Sequence, residues 1–167
     1  MLIHHSLHTW GTAQLAEKGK REMGILKEVK KANVFMGRLR HGADLLDELT
    51  GICEEKDIRL GRVEAIGAVR KACIGFYDQE KLEYRFINID EPLEIANLTG
   101  NISIKDGNPF VHAHVTLADS SGRAFGGHLA QGTIIFAGEC VIEILEGQVF
   151  ERGFDRETGL SLWTLEE

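Results

Sequence analysis

From Val34 onwards, apolar residues recur mostly at alternate positions, in short segments separated by glycine, asparagine or proline. A period of two is typical of strands that bury one face. One segment differs, because Leu45, Leu49 and Ile52 fall at helical spacing and predict a helix that ends near residues 53–56. The predicted strands cover residues 34–39, 61–69, 71–78, 82–89, 93–104, 110–117, 133–137, 139–145, 149–154 and 160–163.

Because strands far outnumber helices in this pattern, we expect an α+β fold with a mostly antiparallel, multi-stranded sheet and a few flanking helices. Glycine residues mark several of the predicted turns and interruptions between strands. Residues 107–109, Gly-Asn-Pro, predict a turn, and residues 100–101, Gly-Asn, predict an interruption of the strand over 93–104. Gly122, Gly126 and Gly127 predict an irregular connection before the last four strands.

The chain has the length of a single domain, 167 residues, and contains no repeat or linker that would divide it. Residues 1–33 alternate charged and small residues without a sustained apolar face. We interpret them as an N-terminal extension that packs loosely or belongs against a neighbouring subunit. The predicted domain is therefore residues 34–167.

Acidic residues outnumber basic ones, 26 against 19, and the formal net charge is −7. DNA binding draws much of its affinity from cationic contacts with phosphate, so this balance argues against a dedicated DNA-binding protein. The first quarter of the chain is more basic than the rest and forms either a phosphate-binding patch or a solvated surface. Its basic residues are Lys18, Lys20, Arg21, Lys27, Lys30, Lys31, Arg38, Arg40 and His41.

Three cysteines, Cys53, Cys73 and Cys140, are widely spaced and flanked by apolar or helical sequence. This pattern is typical of buried free thiols in a reducing compartment. The N-terminus lacks the features of a signal peptide, and no apolar run approaches the roughly 20 residues of a membrane span. We therefore expect a cytoplasmic protein that makes no membrane contact.

Two histidines lie on one face of the strand predicted over residues 110–117. Val111, Ala113, Val115 and Leu117 form its apolar face, so His112 and His114 project together from the other face. Two imidazoles at this spacing can share one metal ion. His128 follows Gly126-Gly127, where the missing Cβ atoms permit a close backbone approach and a turn back onto the strand. We expect these three histidines to hold zinc or another divalent transition metal.

Three protein ligands without a fourth are typical of an open catalytic zinc site, because structural zinc is usually saturated by four Cys or His ligands. Glu64 and Arg123 are the candidate catalytic or anion-binding partners, and Asp119 is a candidate for a hydrogen bond to a ligand. The alternative interpretation of each of these three residues is a charged side chain on the protein surface without a role in the site. The histidine pair equally fits a hydrogen-bonded pair in a polar pocket, without metal.

A second histidine cluster, His4, His5 and His8, lies in the predicted extension. Flexible terminal histidines bind metal opportunistically, so we assign this cluster no function.

Five ordered segments resemble the plants-and-prokaryotes-conserved (PPC) domain family over about residues 34–150. They are Arg38-Leu39-Arg40-x-Gly42-x-Asp44-Leu45-Leu46, Ile66-Gly67-Ala68-Val69, Leu93-Glu94-Ile95-Ala96-Asn97-Leu98-Thr99-Gly100-Asn101-Ile102, His112-Ala113-His114 and Gly126-Gly127-His128-Leu129-x-x-Gly132. The resemblance implies a sheet-rich domain that assembles as a homotrimer, in a prokaryotic, single-domain member of the family.

Plant members of the family act on DNA through AT-hooks, whereas residues 37–40, Gly-Arg-Leu-Arg, lack the proline of such a hook. In fold the family is also similar to acetolactate decarboxylase, whose zinc is held by three histidines in a pattern that carries onto His112, His114 and His128. The carboxylate and arginine partners of that enzyme have no secure equivalents in this sequence.

Three functions follow from these observations. The first is a metal-binding module of the DNA-binding or regulatory class, acting on DNA or through partner proteins. The second is a zinc-dependent lyase or hydrolase that acts on a small carbonyl or carboxylate metabolite bound at the metal. The third is a purely structural role, in which the histidines cross-link a strand and a loop near a subunit interface.

Overall fold

The computed structural model describes residues 24–164, so the cluster of His4, His5 and His8 lies outside the described residues. Within this range the chain forms one helix and nine strands. The elements are β1 (Lys30–Leu39), α1 (Leu45–Glu55), β2 (Gly61–Asp78), β3 (Glu83–Ile89), β4 (Leu93–Lys105), β5 (Asn108–Ala118), β6 (Ala124–Leu129), β7 (Ile134–Glu146), β8 (Glu151–Phe154) and β9 (Ser161–Trp163).

The prediction of a mostly antiparallel sheet is confirmed, since every strand pair except β4–β8 runs antiparallel. The prediction of a few helices is wrong for residues 24–164, where α1 is the single α-helix. Asp44 begins this helix, and its side-chain oxygen accepts hydrogen bonds from the backbone N–H groups of Leu46 and Asp47 at 3.0 and 3.2 Å.

Three predicted interruptions are absent from the sheet. The segments predicted over 61–69 and 71–78 form one strand, β2, and those over 133–137 and 139–145 form β7. β4 runs through Gly100 without a break. A Cβ atom on Gly100 would lie 2.6 Å from the carbonyl oxygen of His112, so this glycine permits close strand pairing and does not end the strand.

The long strand β2 closes the sheet on itself. Its first half pairs with β4, whereas Ile74 and Gly75 in its second half pair with β6. Since β6 pairs with β5 and β5 pairs with β4, the four strands form a ring of hydrogen-bonded neighbours. β1 and β7 extend the sheet from β2, β3 pairs with β2, and β8 and β9 extend it from β4.

The hydrophobic core lies on the inner side of this ring and under helix α1. Leu45, Leu49 and Cys53 are the buried residues of the helix, and they belong to the same core cluster as Val111 and Val115 of β5. Burying one face of β5 against this core turns its other face outward. The outward face of β5 and its neighbours carries the candidate site.

Candidate functional site

The predicted alternation along β5 is confirmed. Val111, Ala113 and Val115 are buried, whereas His112 is half-buried and His114 is exposed on the opposite face. Both imidazoles therefore rise from the outer surface of the closed sheet. Their ring centroids lie 5.5 Å apart.

His128 reaches the same surface from β6, where it pairs directly with His114. The predicted turn at the double glycine is wrong, because Gly126 and Gly127 lie within β6. The predicted close backbone approach is confirmed. A Cβ atom on Gly127 would lie 2.7 Å from the carbonyl oxygen of Gly75, and a Cβ atom on Gly126 would overlap the carbonyl oxygen of Val115. The glycines thus let β6 fit between β5 and β2, which places His128 beside His114.

The nitrogen ligand atoms of His112, His114 and His128 all lie within 4.8 Å of one another. The ring of His128 is centred 5.0 Å from that of His112 and 5.5 Å from that of His114. Nδ1 of His128 is buried and makes no hydrogen bond. A buried polar atom without a partner is costly, and a metal ion would satisfy it.

The electrostatic environment of His112 and His128 favours the neutral imidazole. Burial lowers the pKa of His112 to about 4, and the charges of Arg152, His128 and His114 act in the same direction. Burial also lowers the pKa of His128, again with His114 and Arg152 contributing. A neutral imidazole has the lone pair that a metal ligand requires, so the cluster fits a transition-metal ion. In the part of the chain that the structure describes, no fourth His, Cys, Asp or Glu joins the cluster.

A cavity of about 430 Å³ opens beside the cluster, and His112 and His128 form part of its wall. Tyr84 of β3 also lines it, with its ring centred 5.0 Å from that of His128. Arg152 of β8 lines the same cavity. The sequence does not predict Tyr84 or Arg152 at this site, because no spacing rule relates β3 or β8 to the histidines. Only the pairing of strands brings these two residues near them.

The other predicted site residues lie apart from the three histidines. Glu64 is exposed on β2 and forms an ion pair with Arg62. It is opposite Thr99 of β4, which in turn is opposite His114, so Glu64 lies two strand spacings, about 10 Å, from that histidine.

Arg123 lies at the far end of the β5–β6 hairpin. Its Nη2 atom lies 2.7 Å from Oδ2 of Asp119, and it is otherwise exposed. The hydrogen bond from the Ser121 hydroxyl, followed by those from Arg123, holds the pKa of Asp119 well below its usual range. Asp119 and Arg123 thus stabilise the turn that connects β5 to β6.

The chain is thus a closed antiparallel sheet with three histidines converging on its outer face. Residues 26–146 match the profile of the Plants and Prokaryotes Conserved (PCC) domain, and the chain is a member of that family. The resemblance found in its sequence is confirmed.

Solved structures of similar proteins agree with this assignment. A metal-containing protein from Archaeoglobus fulgidus is 45% identical, with a TM-score of 0.81 over 84% of this chain and 99% of that one. A plant- and prokaryote-conserved protein from Pyrococcus horikoshii is 33% identical, with a TM-score of 0.80 over 86% and 99% of the two chains. A protein from Bacteroides thetaiotaomicron, described as a candidate DNA-binding protein, is 29% identical, with a TM-score of 0.75 over 84% and 99%.

The chain is also 34% identical over 125 residues to the bifunctional protein GlmU of Synechococcus sp. (strain JA-3-3Ab). This match covers 74% of the chain but 18% of GlmU. The chain thus spans less than a fifth of the length of this relative. Among residues 24–164, no helix combines the length and apolar character needed to cross a membrane.

Proposed function

We propose that this domain binds one divalent transition-metal ion, zinc by the chemistry of its ligands, through His112, His114 and His128. The observation that carries the proposal is the convergence of three imidazoles, whose nitrogen ligand atoms lie within 4.8 Å of one another. Imidazole ligands suit zinc and its neighbours in the first transition row, whereas magnesium and calcium prefer oxygen. The description of the Archaeoglobus fulgidus relative as metal-containing supports the same function.

Elemental analysis of the purified protein tests this proposal. We expect about one equivalent of metal per chain, and its loss from the double variant His112→Ala, His114→Ala. His41→Ala is the matched control, because His41 is exposed and lies outside the cluster. Far-UV circular dichroism checks that both variants fold. Unchanged metal content in the folded double variant would contradict the proposal.

A second proposed function is association with DNA, as a regulatory domain. It is supported by the description of the Bacteroides thetaiotaomicron relative as a candidate DNA-binding protein. Lys31 on β1 contacts Glu143, and Arg40, which follows β1, contacts Glu48. Both contacts reduce the availability of these cations to phosphate. Lys30 and Arg38 are exposed and make no ion pair with a carboxylate among residues 24–164.

A mobility-shift titration with a mixed pool of duplexes tests DNA association. We expect a shift at micromolar protein that weakens with added salt, since non-specific binding has affinities of roughly 10⁻⁴–10⁻⁶ M. Lys30→Glu weakens the shift, whereas Arg59→Glu, which changes the charge by the same amount beyond the end of α1, leaves it unchanged. The absence of any shift would exclude this function.

We also propose that the domain forms a homotrimer in the cytoplasm, as the family resemblance implies. Large apolar side chains on β1, β2 and β7 support self-association: Met36 is 80% exposed, Ile66 57% and Phe136 56%. The three cysteines are free and buried, in agreement with a reducing compartment. Light scattering coupled to size exclusion should give three times the chain mass of 18.6 kDa, and the mass of a monomer or dimer would contradict the trimer.

A further inference from the structure

Arg152 is fixed in the wall of the cavity beside the three histidines. Its Nε atom donates to Oγ of Ser103 at 2.9 Å, and Nη2 donates to Oδ1 of Asn101 at 3.0 Å. Nη1 donates to the backbone carbonyl of Ser161 at 3.0 Å. Asn101 pairs directly with His112 across β4 and β5, so the residue that orients Arg152 is a neighbour of the histidine cluster.

The same guanidinium lies over two aromatic rings. Its carbon lies 5.0 Å from the ring centroid of Phe110 and 5.8 Å from that of Trp163. Three hydrogen bonds and two rings leave this long side chain little conformational freedom. A guanidinium fixed before a ligand arrives loses less entropy on binding, as expected of a recognition residue.

The guanidinium retains donors for a ligand. It has five N–H groups, and the three hydrogen bonds to protein oxygens leave two unused, one on each terminal nitrogen. No carboxylate among residues 24–164 lies within 4.0 Å of it. A half-buried positive charge without a negative partner is unfavourable, and burial lowers the pKa of Arg152. An anion in the cavity would remove this penalty.

We propose that the cavity binds a small carboxylate anion, which contacts the two free N–H groups of Arg152 and also reaches the metal ion held by the histidines. This inference rests on the proposed metal-binding function. A cavity of about 430 Å³ has room for a metabolite-sized molecule. Glu83 lies at its wall, but Arg152, Lys105 and a divalent ion together make the cavity electropositive.

A planar carboxylate fits this wall better than a phosphate does. Its two oxygens match two N–H groups in one guanidinium plane. Phe110, Leu160 and Leu162 provide an apolar wall for a carbon skeleton. A phosphate is tetrahedral, so its oxygens cannot all lie in the guanidinium plane, and those outside the plane would face these apolar side chains.

The test uses the full chain loaded with cobalt(II), whose visible spectrum responds to a change of ligand at the metal. Metal content is measured on every sample before titration with malonate and, separately, with inorganic phosphate. We expect malonate to change the spectrum saturably and to bind more tightly than phosphate. Arg152→Met should weaken malonate binding by about tenfold or more, without loss of metal.

Two further variants complete the test. Arg152→Lys keeps the charge but lacks the two-pronged donor, so we expect it to bind malonate more weakly than the wild type. Arg123→Met removes an arginine from the β5–β6 turn, outside the cavity, and should bind malonate as the wild type does. Thermal unfolding checks that every variant is folded.

The outcomes separate the two proposals. A protein that binds no cobalt or zinc overturns both the metal-binding function and the carboxylate site. Three results with metal-loaded protein would overturn the carboxylate site alone. The first is a spectrum that does not change on addition of malonate. The others are malonate binding to Arg152→Met or Arg152→Lys as tight as to the wild type, and tighter binding of phosphate than of malonate.

Discussion

The fold changes the chemistry of Cys53 by burying its thiol. Burial raises the pKa of its thiol to about 12, with the negative charges of Cys140 and Glu54 acting in the same direction. At pH 8 about one molecule in ten thousand would carry the thiolate, which is the reactive form. We expect iodoacetamide to modify Cys53 far more slowly in the native protein than in urea, as measured by mass spectrometry of its peptide.

The same shift gives Cys53 a defined effect on stability. Because the pKa is higher in the folded than in the unfolded chain, the folded state binds more protons between about pH 9 and 12. The contribution to stability is therefore complete below about pH 9 and is lost as the pH rises towards 12. Urea unfolding of Cys53→Ala should show a smaller loss of stability over this range than the wild type does.

For single residues, the sequence is sufficient to predict on which face a side chain lies when the residue belongs to a strand with a clear two-residue period. The alternation around His112 and His114 placed both side chains on one face without any knowledge of the sheet. Arg152 could not be found in this way, because it reaches the site through the parallel pairing of β8 with β4. Arg123 was considered because it lies between the histidines in sequence, yet the hairpin carries it to the opposite end of β5 and β6.

The position of β6 in the sheet depends on its two glycines, Gly126 and Gly127, because a side chain at either residue would overlap the backbone of a neighbouring strand. β6 lies between β5 and β2, and both of its glycines contact the backbone of a neighbour. The pattern of glycines is visible in the sequence, where it predicts an irregular connection. Glycine marks turns and close strand pairing alike, so only the partners of the segment distinguish the two.

We predict that Gly126→Ala lowers the free energy of unfolding by about 1–3 kcal/mol, because the new methyl group would overlap the carbonyl oxygen of Val115. Displacing β6 would also move His128, so metal affinity should fall. Gly37→Ala is the control, since its Cβ would meet nothing within 4 Å, and it should change stability by less than about 0.5 kcal/mol. Equal effects of the two substitutions in urea unfolding would refute this account.

Helix α1 contains an exposed glycine, Gly51, at a position where a Cβ atom would also meet nothing within 4 Å. We predict that Gly51→Ala stabilises the protein by about 0.5–1 kcal/mol, because alanine loses less conformational entropy in a helix. Gly122→Ala provides the contrast: it too has open space, but its φ is +79°, so we expect destabilisation. Chemical unfolding of both variants measures the difference.

On the scale of the whole molecule, the ring of β2, β4, β5 and β6 was beyond what the sequence could predict. The alternation of apolar and polar residues predicts nearly all the strands, but it does not predict which strands pair with one another. β2 was divided at Arg70 because the apolar period fails there. In the structure the strand continues past this residue, with shifts in its register against β7, and changes neighbours further along.

Metal removal should lower the stability of the whole domain, because an ion bound only by the folded chain adds to its free energy of unfolding. At a metal concentration of 100 times Kd the gain is about 2.7 kcal/mol, which corresponds to about 5–10 °C in Tm for a chain of this size. We expect a chelator to lower the Tm of the wild type by this amount. The chelator should not change the Tm of the double variant His112→Ala, His114→Ala. A decrease equal to that of the wild type would show that the stabilising metal binds elsewhere.

All three histidines of the cluster, the proposed metal ligands, lie on one hairpin formed by β5 and β6. Closing the ring requires long-range pairing of β2 with β4 and β6, which makes folding slow, whereas a hairpin forms in microseconds. The histidines can therefore converge while most of the sheet is still unpaired. Zinc in the refolding buffer should then accelerate folding, and such an acceleration would show that the hairpin is formed in the transition state.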